Sequence, residues 1–186
     1  MDRIIKALTF KTDVYAEVEK DVTFTNTAWI IVAVVSFLNQ LGGRATTDIG
    51  NWLLGAVVGT VFAVIGFAVA AYIINLVGRA VFKAEVDFGE LVRTLGLAYI
   101  WQIIGLIGIV GAFSLTLACI ISPLLFVGWI LTAIAWFIAV KEALDLDWVP
   151  TIVTVFLGWI ALVVVNLLAG LVLGAIGIAG AGLFGL

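Results

Sequence analysis

The chain has 186 residues, 65% apolar and only 11% charged, against about 45–50% and about 25% in soluble domains. A water-soluble fold of this size cannot cover that much apolar surface, so the chain reads as an integral membrane protein. The net charge of −3 gives no basic face for a nucleic acid, the single cysteine, Cys119, excludes an intrachain disulfide, and histidine is absent, which removes the commonest metal ligand and proton shuttle.

The chain opens with "MDRIIKALTFKTDVYAEVEKD", which is polar and mixed in charge rather than a secretory leader. It is expected to form two short amphipathic helices. Ile4, Ile5 and Leu8 share one face of the first, and Val14, Tyr15 and Val18 line the second, with Thr12 or Asp13 as its cap. Such a piece packs against its own bundle or lies in the interface with its lysines toward head groups. Residues 1–23 are therefore set apart as a cytoplasmic amphipathic segment.

Five apolar segments follow, at about residues 28–41, 52–82, 95–109, 115–140 and 150–173. A spanning helix needs about 20 apolar residues. The second and fourth are long enough, the first requires Phe24 to Thr27 as well, and the third is the shortest, turning sharply at "GIVGAFS"; the alternative to two full spans is that the third and fourth form one hairpin that does not cross fully. Backbone groups in lipid must be bonded internally, so helices are expected throughout. The fold class is all-α: a polytopic bundle of five transmembrane helices over residues 24–174, preceded by the amphipathic segment. The glycine-rich tail, residues 175–186, is too poor in helix formers to be a firm helix.

Basic residues give the orientation. The N-terminal segment carries Arg3, Lys6, Lys11 and Lys20, the first loop Arg44, the second Arg79, Lys83 and Arg93, and the fourth Lys141. Five spans with the N-terminus inside put eight basic residues on the cytoplasmic side and one on the outer side. Residues 79–94 are then expected to be a cytoplasmic loop, and the C-terminus to lie outside.

Small residues recur at helical spacing: Gly55 and Gly59 with Ala63 and Gly66, then Gly105, Gly108 and Gly111, then Gly170 and Gly174. They allow close helix packing, first of all within the chain. No Asp, Glu, Lys or Arg falls inside a span, whereas ion-coupled transporters usually need one. The intramembrane polar residues are Asn75, Gln102 and Asn166, with Asn39 and Gln40 nearer a surface. Structural hydrogen bonds are the ordinary role for such groups; the alternative is that Gln102 and Asn166 line a transport path. Ser122-Pro123 is expected to kink the fourth span. No nucleophile–base pair, metal-ligand cluster or phosphate loop appears, so neither enzyme activity nor a cofactor is expected. Lys141 and Glu142, closing the fourth span, emerge on the same side as Arg93, and an ion pair between Glu142 and Arg93 would join the two cytoplasmic loops.

Two stretches carry a family likeness. "DFGELVRTLGLAY", with Phe88, Leu91, Arg93, Gly96 and Ala98, and "WFIAVKEALDLD", with Trp136, Val140, Glu142, Ala143 and Leu144, resemble the Yip family of Ypt-interacting membrane proteins, especially its prokaryotic members. The likeness extends over about residues 10–165. One departure is that family members usually carry proline just after the Ala-Tyr step, where this chain has Ile100 and Trp101. The resemblance implies a five-span protein with its N-terminus inside. Eukaryotic relatives associate with Rab-type GTPases, a role that does not carry over residue by residue. The leading expectation is a non-enzymatic scaffold or accessory subunit in a prokaryotic cell membrane, acting on the bilayer and on other integral membrane proteins, as a homo- or hetero-oligomer. Small transporter or channel, and lipid organisation by the N-terminal helix, are the alternatives.

Overall fold

The computed structural model describes residues 2–46 and 48–175, and every regular element among them is helical. Two short helices, α1 (Asp2–Leu8) and α2 (Asp13–Lys20), lead into α3 (Phe24–Gly43) and α4 (Ile49–Val81). Helix α5 (Phe88–Ala98) runs through a 3-10 segment, Tyr99–Ile107, into α6 (Gly108–Gly111); α7 (Leu115–Leu144) and α8 (Trp148–Ala175) complete the chain. Five stretches are long and apolar enough to cross a membrane: α3, α4, the continuous Phe88–Gly111, α7 and α8. The protein is thus an all-α membrane bundle with the expected number of spans.

The first two, the fourth and the fifth spans start and stop within a few residues of the apolar runs. The third does not: it begins at Phe88, well before the expected residue 95, because Asp87 and Glu90 form a capping box. The Gly89 amide donates to the Asp87 carboxylate at 3.1 Å, and the Asp87 amide donates to Glu90 at 2.7 Å. The expected loop 79–94 therefore shrinks to the residues between Val81 and Phe88, and Arg93 sits inside a helix. Thr12 precedes α2 but makes no side-chain cap bond, since its own backbone is already helical (φ −69°, ψ −31°). The helix continues through Pro123. The turn at "GIVGAFS" is real: α6 ends at Gly111, and the Ser114 side chain accepts from the Thr116 amide to start α7. Of the glycine-rich tail, all but Ala175 lies outside the described residues.

Close glycine contacts fix the direction of each helix. Gly96 abuts Ala28 and Gly108 abuts Gly42, so α3 and the third span run parallel. Gly66 meets Leu162 and Val165 while Gly158 meets Ile74, so α4 and α8 are antiparallel. Gly128 meets Ile104, and Gly111 meets Ala118, so α7 opposes the third span. The glycine stripe of α4 is shared: Gly59 faces Gln40 and Arg44 of the α3 end, Gly66 faces α8. Phe67, fully buried, sits at the middle with Trp29 and Tyr99 edge-on at 5.5 Å and Trp136 at 6.3 Å. Phe137 and Trp159, 5.4 Å apart, join α7 to α8.

The 3-10 segment is nine residues long, against a usual run of about three to four. It starts at Tyr99, directly after the last residue of α5. Asn39 supports it by donating to the Gln102 carbonyl at 2.9 Å, and Ser36 donates to the Tyr99 hydroxyl at 3.1 Å.

Candidate functional site

The charges gather where α1 and α2 dock on the side of α5. The two short helices pair through ions: Arg3 reaches Glu17 at 2.8 Å and Asp21 at 2.7 Å, and Lys6 stands 3.5 Å from Asp13. Val14, Tyr15 and Val18 are fully buried, with α2 packed against α5 and α7. The apolar side expected for α2 is therefore its core side. Helix α1 differs from expectation. Ala7 is its buried residue, while Ile5 is 60% and Leu8 37% exposed, so Ile4, Ile5 and Leu8 do not form a single packed face. Between the helices Phe10 stacks on Trp101, centroids 4.9 Å apart, and takes a left-handed φ of 54°. An aromatic residue in that region costs on the order of 1–3 kcal/mol, offset here by the stack.

Arg93 locks the docked pair. It is only 5% exposed, and its Nε donates to the carbonyls of Val18 at 3.0 Å and Glu19 at 2.9 Å. One terminal nitrogen also donates to the Glu19 carbonyl, and the other to the Thr25 hydroxyl at 3.3 Å. Those carbonyls end α2, where a helix is short of internal donors and carries partial negative charge; the Val18 carbonyl also accepts from the Asp21 amide at 3.2 Å. The guanidinium thus serves as the C-terminal cap of α2 and ties it to the first turn of α3. Having spent its fork there, it forms no pair with Glu142: among the described residues it has no carboxylate within ion-pair distance. The expected Arg93–Glu142 bridge is not formed. Lys141 instead lies over the Trp148 ring, 5.6 Å from its centroid, and Glu142 is half-buried at the end of α7.

The other residues singled out from the sequence surround this lock. Leu91 and Ala98 are fully buried, and a Cβ on Gly96 would lie 2.8 Å from that of Ala28. Phe88 packs partly buried against the core. Trp136, Ala143 and Leu144 are buried, Leu144 against Gly78. Asn75 donates to the Val86 carbonyl at 3.2 Å and holds the short loop. The two family stretches are therefore packing and capping positions. Gln102 is partly exposed on the 3-10 segment and contributes its carbonyl to Asn39. Asn166 is exposed on α8 and donates back to Leu162 of its own helix at 2.9 Å. Among the described residues it makes no side-chain hydrogen bond across helices.

Electrostatics follow the burial. The Tyr15 hydroxyl, without a hydrogen-bond partner, is pushed up to about 12 by burial. Burial, then the charges of Asp145 and Glu90, raises the Glu19 carboxyl. Hydrogen bonds from Thr23 and then Arg3 hold Asp21 below the usual carboxylate range. At the opposite end burial lowers Arg44, whose Nε donates to Gln40 at 2.5 Å. No three potential ligand side chains gather as a metal site among the described residues. Sequence reasoning missed the Phe10 stack and the cap role of Arg93, neither of which has a local signature. It also missed the Asp87-x-x-Glu90 helix start, which has one.

The family model of the Yip1 domain matches residues 5–173. That match spans both family stretches, all five apolar helices up to Leu173, and the docked N-terminal pair from Ile5 onward. No curated protein and no solved structure matches the chain.

Proposed function

This chain belongs to the Yip1 domain family, and we propose that it works as a non-enzymatic scaffold or accessory subunit, associating with other integral membrane proteins through the outer half of α7. Between Leu115 and Ile130 only Ile121 and Gly128 are buried. The bare face is not uniformly apolar. Pro123 has no N–H, so the Cys119 carbonyl one turn back lacks its helical donor. Ser122, beside it, is exposed and has no side-chain hydrogen bond among those of the described residues. An unpaired backbone group in lipid costs several kcal/mol, on the order of a lost hydrogen bond in hydrocarbon. A polar notch of this kind on a spanning helix suits a donor from a neighbouring helix. This notch is the observation that carries the reading.

The lock at the opposite end supports it indirectly. Residues 1–23 act as an integral part of the bundle, and residues 24–174 as the membrane domain. By the sidedness of lysine and arginine, the end bearing Arg93 faces the cytoplasm and the C-terminus lies outside; the resemblance to prokaryotic family members supports a prokaryotic cell membrane. A photo-reactive residue in place of Phe126 should give discrete adducts with membrane proteins in native membranes. One in place of Val163, equally exposed on α8, should give fewer, and Ser122→Leu should abolish those at position 126. Equal labelling at both positions, or a strictly monomeric protein with nothing co-purifying in mild detergent, would overturn the proposal.

A further inference from the structure

A groove of about 450 Å³ runs between α1 and the first two turns of α3, with Glu17 of α2 at its polar end. Its volume lies in the range of small-molecule sites, about 300–1,000 Å³. Its lining is Asp2, Arg3, Ile4, Lys6, Glu17, Phe24, Thr27 and Ile31; the Arg3 guanidinium lies over the Phe24 ring, 5.5 Å from its centroid, so Phe24 adjoins the charges, and Thr27 and Ile31 lie about one and two turns further along α3. The apolar end does not stop at the groove. Thr27, Ile31 and Val34 share a face of α3 at helical spacing, and Val34 is 52% exposed, so the track continues along the span toward the bilayer interior. A cavity charged at one end and apolar at the other, opening beside a spanning helix, has the shape of an amphiphile.

The charges select the class. Two carboxylates and two cations line the polar end, so it is balanced, and an anion alone would meet Asp2 and Glu17 as well as its cations. Arg3 is fully engaged, at 2.8 and 2.7 Å from its two carboxylates. Lys6 is not: its ammonium stands 3.5 Å from Asp13 and 3.8 Å from Glu17, near enough for charge but beyond good hydrogen bonding. It has N–H donors to offer a phosphate. Asp2 is exposed and makes no ion pair within 4.0 Å among those formed by the described residues, which leaves a carboxylate for an ammonium. We infer that the α1–α3 groove binds a zwitterionic phospholipid carrying a primary amine. Its phosphate sits on Lys6, its ammonium on Asp2 and Glu17, and an acyl chain lies along Thr27, Ile31 and Val34. The lipid belongs to the leaflet on the charge-rich side. A choline head group fits worse, because a quaternary ammonium has no N–H to donate.

The test uses the full chain in detergent, incubated with equimolar dioleoyl phosphatidylethanolamine, phosphatidylglycerol and phosphatidylcholine, with retained lipid counted by native mass spectrometry. Phosphatidylethanolamine should be retained at least fivefold over each of the others. Lys6→Gln should reduce that retention at least fivefold, and Thr27→Trp, which fills the groove from its exposed rim without altering a charge, should do the same. Glu85→Gln, outside the groove, should leave it unchanged. Equal retention of the three lipids overturns the inference, because a merely greasy surface gives that result. Preference for phosphatidylglycerol overturns it in favour of a simple anion site. Unchanged retention in Thr27→Trp with a wild-type thermal midpoint also overturns it. If Lys6→Gln lowers the midpoint, the wild-type ranking and Thr27→Trp decide the matter.

Discussion

Replacing Arg93 by alanine removes the cap that holds α2 onto α5. The Glu19 carbonyl then loses both its Arg93 donors, and the Val18 carbonyl keeps only the Asp21 amide at 3.2 Å, at a site where Arg93 itself is 5% exposed, so water replaces the lost donors poorly. A hydrogen bond to a charged group contributes about 1.5–3 kcal/mol net. Two guanidinium N–H donors, Nε shared by the carbonyls and one terminal nitrogen, give roughly 3–6 kcal/mol of lost docking free energy, treating the Thr25 contact at 3.3 Å as minor. The remaining hold on the pair is burial of Val14, Tyr15 and Val18, each about 1.5–3 kcal/mol, opposed by the entropy of ordering the segment. The loss is therefore of the same size as what remains, and the pair should open far more often while the spans stay assembled.

Amide hydrogen exchange in nanodiscs reads this directly. At about 1.4 kcal/mol per tenfold, protection of the amides of α2 should fall by roughly two to four decades in Arg93→Ala. Amides of α4 and α8, which pack chiefly on each other and show no packing on α2 comparable to that of α5 and α7, should keep wild-type protection. Arg93→Lys should fall in between, because one ammonium cannot serve two carbonyls and Thr25 with the geometry of a guanidinium fork. Undiminished protection of α2 would refute the capping argument. An equal loss in α4 and α8 would refute the claim that the lock is local.

Gly96→Ala should destabilise the bundle by about 1–3 kcal/mol through overpacking, since the new Cβ would lie 2.8 Å from Ala28; Gly43→Ala, with open space around it, should leave the detergent thermal midpoint nearly unchanged. Asn39→Leu should cost about 0.5–1.5 kcal/mol by removing a side-chain hydrogen bond to the Gln102 carbonyl, whereas Asn166→Leu, which loses only a bond within its own exposed turn, should be neutral in the same assay. Glu19→Gln should raise the midpoint at about pH 7 and change little near pH 4. Its raised carboxyl favours the fold while protonated, and that contribution is lost as pH rises from the ordinary value near 4.5 through the raised one; a midpoint unaffected at neutral pH would refute it.

The span count and most helix boundaries were legible because lipid imposes one rule, internal bonding of every backbone group, and apolar runs report it directly. The N-terminal boundary of the third span was not, because the eye follows hydropathy. "DFGE" is polar and reads as loop, yet its Asp-x-x-Glu spacing is a helix start, and tertiary packing then buries everything from Leu91 to Tyr99. Burial there depends on α2, seventy-odd residues away by the separation of Val18 and Arg93, and no local pattern encodes it. Position 93 shows the same limit from the other side. The sequence marks an arginine with carboxylates in reach. It cannot show that two backbone carbonyls take the whole fork first and leave Glu142 without it. Asn166 illustrates the converse, since a polar residue deep in a run suggests a partner helix, and here the side chain turns back on its own.

The helix directions turn the charge pattern into something stronger than a count. With α3 parallel to the third span, and α4 and α7 opposed to α8 and the third span, the ends of the five helices sort into two sets without reference to any lysine. One set holds the starts of α3, α5 and α8 and the ends of α4 and α7; the other holds the reverse. Arg79, Lys83, Arg93 and Lys141 all fall in the first set, joined there by α1 and α2 with Arg3, Lys6, Lys11 and Lys20, while Arg44 alone falls in the second. The contacts of Gly128 with Ile104 and of Gly111 with Ala118 set α7 antiparallel to the third span and so place Lys141 at the same end as Arg93. Geometry and charge therefore agree through separate physics: close packing of small residues for the one, the cost of moving a cation through hydrocarbon for the other.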